Sequence, residues 1–234
     1  GSENLKKIIL NLAPKSIVKV TGDSRFDQVI QRAKDNNKKL LPNIFKKSNN
    51  IILGSTVDSD LPILSSALDI LGSNFFNNDT KLIIVPHEIN ENDLLPIEKL
   101  LSTKGLSYQR LSEFNKSEPF QVLIVNSVGM LADLYSYAKI AYVGAGFSTG
   151  VHSVIEPAVY KCIVSYGPNI EILDEAIEMN QNGSGIIINN GPEMAKVFEK
   201  IKISKEIKKL GDLSFAFVSN KEHASERIIN EIFK

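Results

Sequence analysis

Histidine, glutamate, small hydroxyl residues and glycine gather in one stretch, Ile140 to Pro168, IAYVGAGFSTGVHSVIEPAVYKCIVSYGP. Gly144, Ala145 and Gly146 form a turn that lets backbone approach a ligand. Ser148, Thr149, Gly150 and His152 then lead into a short helical pattern that carries Ser153 and Glu156. The chemistry this suits is anion recognition, because unpaired N–H groups and the positive dipole end of a helix favour a phosphate or carboxylate in front of them. His152 and Glu156 are four apart, so a helix beginning near His152 would carry both on one face. Pro157, directly after Glu156, fits only a first helical turn. Glycines between a strand and a helix are common in α/β proteins, and the pattern gains meaning only from what surrounds it.

The elements that must position this stretch follow from hydrophobic periodicity. Ile140 to Val143 and Cys162 to Tyr166 read as strands, with a helix from about Ser153 to Tyr160 between them. Earlier strands are expected at Asn50 to Leu53, Lys81 to Val85 and Gln121 to Val125, a short one at Ser107 to Leu111, and a last one at Gly185 to Ile188. Helical patterns alternate with them: Leu61 to Leu71, Asn92 to Leu101 with Pro96 arguing for a late start or a break, Met130 to Tyr137, Glu171 to Met179, and Met194 to Ile201. Near the start, Ser16 to Thr21 reads as a strand ending at Gly22-Asp23, separated from any sheet of its own, with Phe26, Val29, Ile30 and Ala33 at helical spacing after it. At the end, Ser219-x-x-Glu222 has a capping-box pattern ahead of Ala224, Ile228, Ile229 and Ile232. This alternation argues for a parallel α/β sheet covered on both faces, a Rossmann-like doubly wound fold. Residues 49–234 are expected to form it, and residues 1–48 to be the tail of a preceding half and a linker. Ligands bind outside the carboxyl ends of such strands, where four polar turns fall: Gly54-Ser55-Thr56, Pro86-His87-Glu88, Asn126 to Met130 and Gly144 to Ser153.

Composition narrows the classes. Lysine plus arginine equals aspartate plus glutamate at 27 each among 234 residues, which gives no electrostatic footprint for nucleic acid. Lys38-Lys39, Lys46-Lys47 and Lys205 to Lys209 read as solvated faces. The single cysteine, Cys162, lies in an apolar run and suits a buried structural role, and no metal-ligand spacing is present. No apolar run approaches the roughly twenty residues that span a bilayer. Gly1-Ser2 without an initiator methionine reads as an expression scar.

Taken together, VTGDSRFDQVI, LGSTVDSD, IIVPHEIN, VNSVGMLADLY, AYVGAGFSTGVHSVIEPAVY and SYGPN resemble, in the same order, the carboxy-terminal half of the 3-deoxy-D-manno-octulosonic acid (Kdo) transferases of Gram-negative bacteria. VTGD-x-RFD and the G-x-G…G-x-H-x-x-x-E-P segment are the more specific pieces. The resemblance implies a GT-B glycosyltransferase that moves Kdo from CMP-Kdo to a lipid A precursor, with inversion and without a metal ion. It acts at the cytoplasmic face of the inner membrane. This chain would hold the donor; an amino-terminal domain would supply the acceptor site, the membrane contact and the catalytic base. Carried over, Gly129, Met130 and Leu131 lie by the cytosine and Glu156 bonds the ribose. Ser55, His87, Gly146, Phe147, Gly150, His152 and Ser153 face phosphate and sugar. The family often has asparagine where this chain has Ser153, and arginine before the histidine where it has Pro86. Two other readings stand beside this one: a UDP-sugar-dependent GT-B transferase or epimerase domain, and a non-catalytic nucleotide-sensing or partner-binding α/β module.

Overall fold

The computed structural model describes residues 3–233. The strands are β1 (Asn49–Thr56), β2 (Thr80–Pro86), β3 (Tyr108–Arg110), β4 (Val122–Ile124), β5 (Ala138–Val143), β6 (Ile163–Tyr166) and β7 (Gly185–Ile187). All pair in parallel in one sheet of order β3-β4-β2-β1-β5-β6-β7. The helices are α1 (Glu3–Leu12), α2 (Ser24–Asp35), α3 (Ile44–Lys47), α4 (Leu61–Leu71), α5 (Glu91–Thr103), α6 (Leu131–Leu134), α7 (Ile155–Ala158), α8 (Asp174–Gln181), α9 (Gly191–Glu199), α10 (Ser204–Ser219) and α11 (Ala224–Ile232).

Alternate residues of each strand point to opposite faces, so a strand buried on both sides reads as a continuous apolar run. Ile52, Ile83, Leu123, Ala141 and Val164 pack with Phe26 and Ile30 of α2, Ile155 of α7 and Phe217 of α10. Ile51, Leu53, Leu82, Ile84, Ile140 and Tyr142 turn the other way, to Leu64 of α4, Ile97 of α5 and Met194 and Phe198 of α9. The doubly wound α/β reading is therefore correct. β1 has β2 on one side and β5 on the other, and this reversal opens a crevice at the carboxyl ends of β1 and β5.

Three local expectations need correction, and one further helix goes beyond them. Residues 16–21 pair with no strand among the described residues, and Ile17 is 94% exposed. Pro96 neither delays nor breaks α5, which runs unbroken from its Asn90 cap and forgoes one backbone bond inside the helix. Lys205 to Lys209 belong to α10, a sixteen-residue helix that the sequence hides. Its buried stripe is interrupted by Gly211 and Ser214, which are small because the helix lies against the β6 entry: Ser214 Oγ donates to Cys162 O at 2.7 Å. Finally, Ser219 closes α10 instead of capping α11. The α11 amino terminus, where His223 sits at φ +73°, is capped from afar by Asp27, which accepts from the His223 and Ser225 N–H groups at 2.6 Å each.

That last contact explains the VTGD-x-RFD stretch. Asp23 caps α2 by accepting from Arg25 N at 2.9 Å, and Arg25 reaches the buried Glu175 of α8 at 2.9 Å. Arg227 of α11 donates to Thr21 O at 2.8 Å. The motif thus fastens the segment before the sheet to α8 and α11. Cys162 is buried, as expected, and burial pushes its thiol up to about 12.

A Cβ at Gly211 would lie 2.3 Å from Lys161 O, backbone against backbone. Gly211→Ala is expected to destabilise the fold by about 1–3 kcal/mol, because a well-packed contact must open; a urea midpoint unchanged from the parent chain would contradict this.

Candidate functional site

The crevice is built from two turns that cross with almost no space between them. The register of β1 shifts between Gly54 and Thr56, and Ser55 between them takes φ +54°. β5 ends at Val143, and Ala145 takes φ +67°. Gly144 N donates to Gly54 O at 2.8 Å, and a Cβ on Gly144 would lie 2.3 Å from Ser55 O. Only glycine allows that approach. Below it lies Asp60, fully buried at the entrance to α4. Its Oδ1 accepts from Tyr142 Oη at 2.7 Å, and its Oδ2 from Val57 N at 3.0 Å and Ala145 N at 3.1 Å. Burial pushes the Asp60 carboxyl above its ordinary value, and these hydrogen bonds pull the other way.

The second half of the β5 turn leans on the loop after β6. Gly146 and Gly167 meet back to back, a Cβ on Gly146 falling 2.6 Å from Gly167 N. Asn169 ties the loop at three points: its N–H donates to Gly146 O at 2.9 Å, its Nδ2 to Ser148 O at 2.9 Å, and its carbonyl accepts from Val151 N at 3.1 Å. Gly150, at φ +114°, sits against Ile172. From the other side Ser59 Oγ donates to Ser148 Oγ at 3.1 Å.

The β2 turn joins through His87, whose N–H donates to Thr56 O at 2.9 Å. Its ring stacks on His152, with centroids 4.7 Å apart and planes at 24°. Burial holds His152 below its ordinary value of 6.5, the neighbouring His87 adds to this, and Asp60 opposes it. The turn after β4 carries Gly129 at φ +77°, exposed, followed by half-buried Met130 and Leu131. Met130 and Leu131 pack onto the apolar cluster on the α2 side of the sheet, and Phe147 onto the opposite one. The four polar turns all lie at the carboxyl end of the sheet, and direct contacts join those of β1, β2 and β5. Within them, Ser55, His87, Gly146, Gly150 and His152 border the crossing, whereas Leu131 and Phe147 spend much of their surface on the core.

The helix that follows is shorter than expected. α7 has four residues, its cap is Val154 with no side-chain bond, and Ser153 does not cap it. His152 stands in the loop before it, so the shared helical face with Glu156 does not exist. A single turn also carries little macrodipole. Anion affinity here would rest on individual N–H groups and histidines. Glu156 is half-buried and makes no hydrogen bond among the described residues; burial pushes its carboxyl up and Arg32 pulls it down.

Arg32, on α2, exposes a feature that the sequence conceals. Arg32 Nε and Nη2 donate to the two oxygens of buried Asp133 at 2.7 and 3.2 Å, and Lys38 Nζ donates to Oδ2 at 2.7 Å. Asn36 Nδ2 adds bonds to Asp133 O and Tyr160 Oη. This network locks α6, α7 and the segment ahead of β1 beside Glu156. Nothing in the spacing of Arg32, Lys38 and Asp133 announces it. Asp60 is equally inconspicuous, one more acidic residue in a polar turn. Among the described residues, no cluster of three or more histidine, cysteine or acidic residues is placed to hold a metal ion, and no helix is long and apolar enough to cross a membrane.

No family model matches the chain. In sequence it is similar to the 3-deoxy-D-manno-octulosonic acid transferase of Aquifex aeolicus, 29% identical over 165 residues, covering 69% of this chain and 44% of that protein. The enzyme of the same name from Chlamydia trachomatis serovar A is 26% identical over 182 residues, covering 76% of this chain and 40% of its own. A bifunctional glycosyltransferase/methyltransferase of Fusobacterium nucleatum is 29% identical over 217 residues, 87% of this chain and 32% of that one. The chain therefore spans less than half the length of these relatives. Among solved structures, the C-terminal CMP-Kdo binding domain of WaaA from Acinetobacter baumannii superposes with a TM-score of 0.60 at 18% identity, covering 82% of this chain and 98% of that one. MnaA of S. aureus, solved with UDP, gives 0.66 at 15%, covering 99% and 58%.

Sheet order and neighbours define a Rossmann-like, doubly wound α/β domain, the fold shared with these two structures. In sequence the chain resembles part of the 3-deoxy-D-manno-octulosonic acid (Kdo) transferases, the name that several of its relatives bear.

The Asp133 network has a pH signature. Arg32 beside it, then Lys38, hold the Asp133 carboxyl below its ordinary 3.8. A depressed carboxyl contributes stability that is present above its unfolded value and lost as pH falls through the folded one. Asp133→Asn is expected to lower stability at neutral pH and to lessen its fall below pH 3.8. Denaturant midpoints measured from pH 7 down to 2.5 check it; an acid limb as steep as that of the parent chain would refute the assignment.

Proposed function

We propose that this chain is the CMP-Kdo-binding domain of a Kdo transferase that glycosylates a lipid A precursor. The observation that carries the reading is the similarity to Kdo transferases over most of this chain, joined to turns that meet at the switch point of the sheet. In this reading residues 49–234 are the donor domain and residues 1–48 the tail and linker of an acceptor half. The lipid A precursor and the inner-membrane surface are met through that other half.

Ser55, His87 and the Gly146 to Ser153 loop then face the phosphate and the sugar, Gly129 to Leu131 line the cytosine, and Glu156 accepts from a ribose hydroxyl. The carboxylate suits that last role, since it has no hydrogen-bonding partner of its own among the described residues. As the glycosidic bond breaks, negative charge grows on the departing CMP, and donors already fixed in the crevice stabilise it without reorganising. His87 and His152 supply ring N–H donors where the family's arginine is replaced by Pro86. In this reading the base that activates the acceptor belongs to the acceptor half, so this chain by itself is expected to transfer no Kdo at an enzymatic rate.

Calorimetric titration with CMP, and in parallel UMP and UDP, tests the reading. CMP is expected to bind preferentially, with Glu156→Gln weakening it about tenfold for loss of a charged acceptor. A preference for UDP would overturn the donor assignment and keep the fold. Failure to bind any of the three by this chain and by the same chain joined to its acceptor half would favour a non-catalytic module.

A second expectation concerns pH. Burial and His87 keep His152 neutral at pH 7, whereas a bound phosphate favours the imidazolium. CMP affinity should be greatest below the lowered His152 value, fall as pH rises toward 8, and be accompanied by proton uptake. Equal affinity at pH 5.5 and 8, or identical binding heats in buffers of different ionisation enthalpy, would remove His152 from the phosphate site.

A further inference from the structure

We infer that Asp60 is a positioning residue for the donor site, the internal acceptor that holds the β1 and β5 turns in the crossed arrangement a phosphate would meet. The inference deepens the donor-binding reading and rests on it for the identity of the ligand, but not for the geometry.

Three independent donors converge on this one carboxylate, from three places in the chain. Val57 N belongs to the turn after β1, Ala145 N to the turn after β5, and Tyr142 Oη to β5 itself, and the distances lie between 2.7 and 3.1 Å. The carboxylate is inaccessible to solvent. Left without it, the two N–H groups and the hydroxyl would be unsatisfied inside the protein, at a cost for each. Such an expensive group needs a task, and its location names one. Ala145 occupies a left-handed conformation that a residue with a Cβ takes reluctantly. Its N–H is the point at which Asp60 grips that turn. Gly144 is so close that a Cβ would fall 2.8 Å from Asp60 Oδ2, leaving no room for the turn to relax toward the carboxylate. The bonds from Asp60 therefore fix where the N–H groups of Gly146 to Gly150 point, although Asp60 itself is shut away from any ligand.

The charged groups around it are consistent with a role in shape. His152 feels the Asp60 charge, and faces His87, which in turn lies 4.0 Å from Glu88. Tyr142 hydrogen-bonds Asp60, and burial pushes its phenol far above the ordinary range. A buried negative charge under an anion site opposes the anion, so the positioning role predicts that hydrogen-bond capacity matters more than charge.

The experiment separates the two with Asp60→Asn and Asp60→Ala. Asparagine retains an oxygen for the Val57 and Ala145 N–H groups without the charge; alanine removes the acceptor. Amide spectra of the ligand-free chain read the loop directly, and CMP titration reads the site, both at a temperature where each variant is folded. Asp60→Ala is expected to shift the amides of Ser55, Val57 and Ala145 to Gly150 and to weaken CMP by about tenfold or more, as misplaced binding groups do. Asp60→Asn should restore the Gly146 to Gly150 amides and most of the affinity. Should Asp60→Ala not fold, Tyr142→Phe combined with Asp60→Asn keeps both N–H acceptors, and must leave the loop amides near their parent positions. Loop amides unmoved in Asp60→Ala, or equally disturbed in Asp60→Asn, would overturn the inference whether or not CMP binds. Parent chain that binds no CMP, with Asp60→Ala shifting the loop amides as expected, would sink the CMP reading alone.

Discussion

The close crossing of the β1 and β5 turns is the constraint on which the rest of the structure depends. Two parallel strands side by side at the switch point must send their chains in opposite directions, and here their turns pass within van der Waals contact at Gly144 and Ser55. The backbone groups exposed by that crossing cannot all find strand partners. Asp60 satisfies two of them, the Val57 and Ala145 N–H groups, from below, at the cost of burying a carboxylate. Beside that crossing lie the Gly146 to Gly150 loop, folded back on Ala145 O, and two stacked histidines. A crevice at the carboxyl ends of β1 and β5 follows from the topology, before any particular ligand is considered.

Around this centre, the same solution recurs at lower stakes. Gly146 and Gly167 let the loops after β5 and β6 touch along their backbones, and Asn169 supplies the missing partners. On the other flank, Asp133 takes Arg32 and Lys38 from the segment that precedes the sheet. Both salt links place an exposed cation on a buried acid. That geometry is more durable than an ion pair in open solvent, yet it makes the acid dependent on its partners. Segments distant in sequence are likewise tied to α2: α6 through Arg32 and Asp133, α8 through Arg25 and Glu175, α11 through Asp27. The chain ahead of β1 is accordingly part of the architecture around the site. Phe26, Ile30, Leu41 and Phe45 bury their side chains in the same cluster as the sheet.

Much of this was legible in the sequence, and the exceptions share a cause. The runs Ile51 to Leu53, Leu82 to Val85 and Ile140 to Val143 announced strands because both sheet faces are covered. The glycine-rich turns announced the crevice because close backbone approach admits few residue types. Ser16 to Thr21 looked equally strand-like, but a strand needs a neighbour, and no described strand lies beside it. α10 was concealed because contact with the β6 entry demanded glycine and serine where a helical stripe would show leucine. The capping box at Ser219 was a local pattern overridden by Asp27 arriving from the other end of the chain.

By itself, then, the sequence determined the alternation of elements, the parallel doubly wound sheet and the identity of the turns at its carboxyl ends, because each of these depends on side-chain periodicity or on backbone freedom over a few residues. The tertiary structure alone decided that α7 is a single turn, that His152 stacks on His87 instead of sharing a helix with Glu156, and that Asp60, Asp133 and Asn169 support the site. Those are relations between residues distant in sequence, up to 101 positions apart for Arg32 and Asp133, or local choices settled by packing. A buried carboxylate takes its role from the donors that folding brings to it, and no spacing in the chain records where those donors will come from.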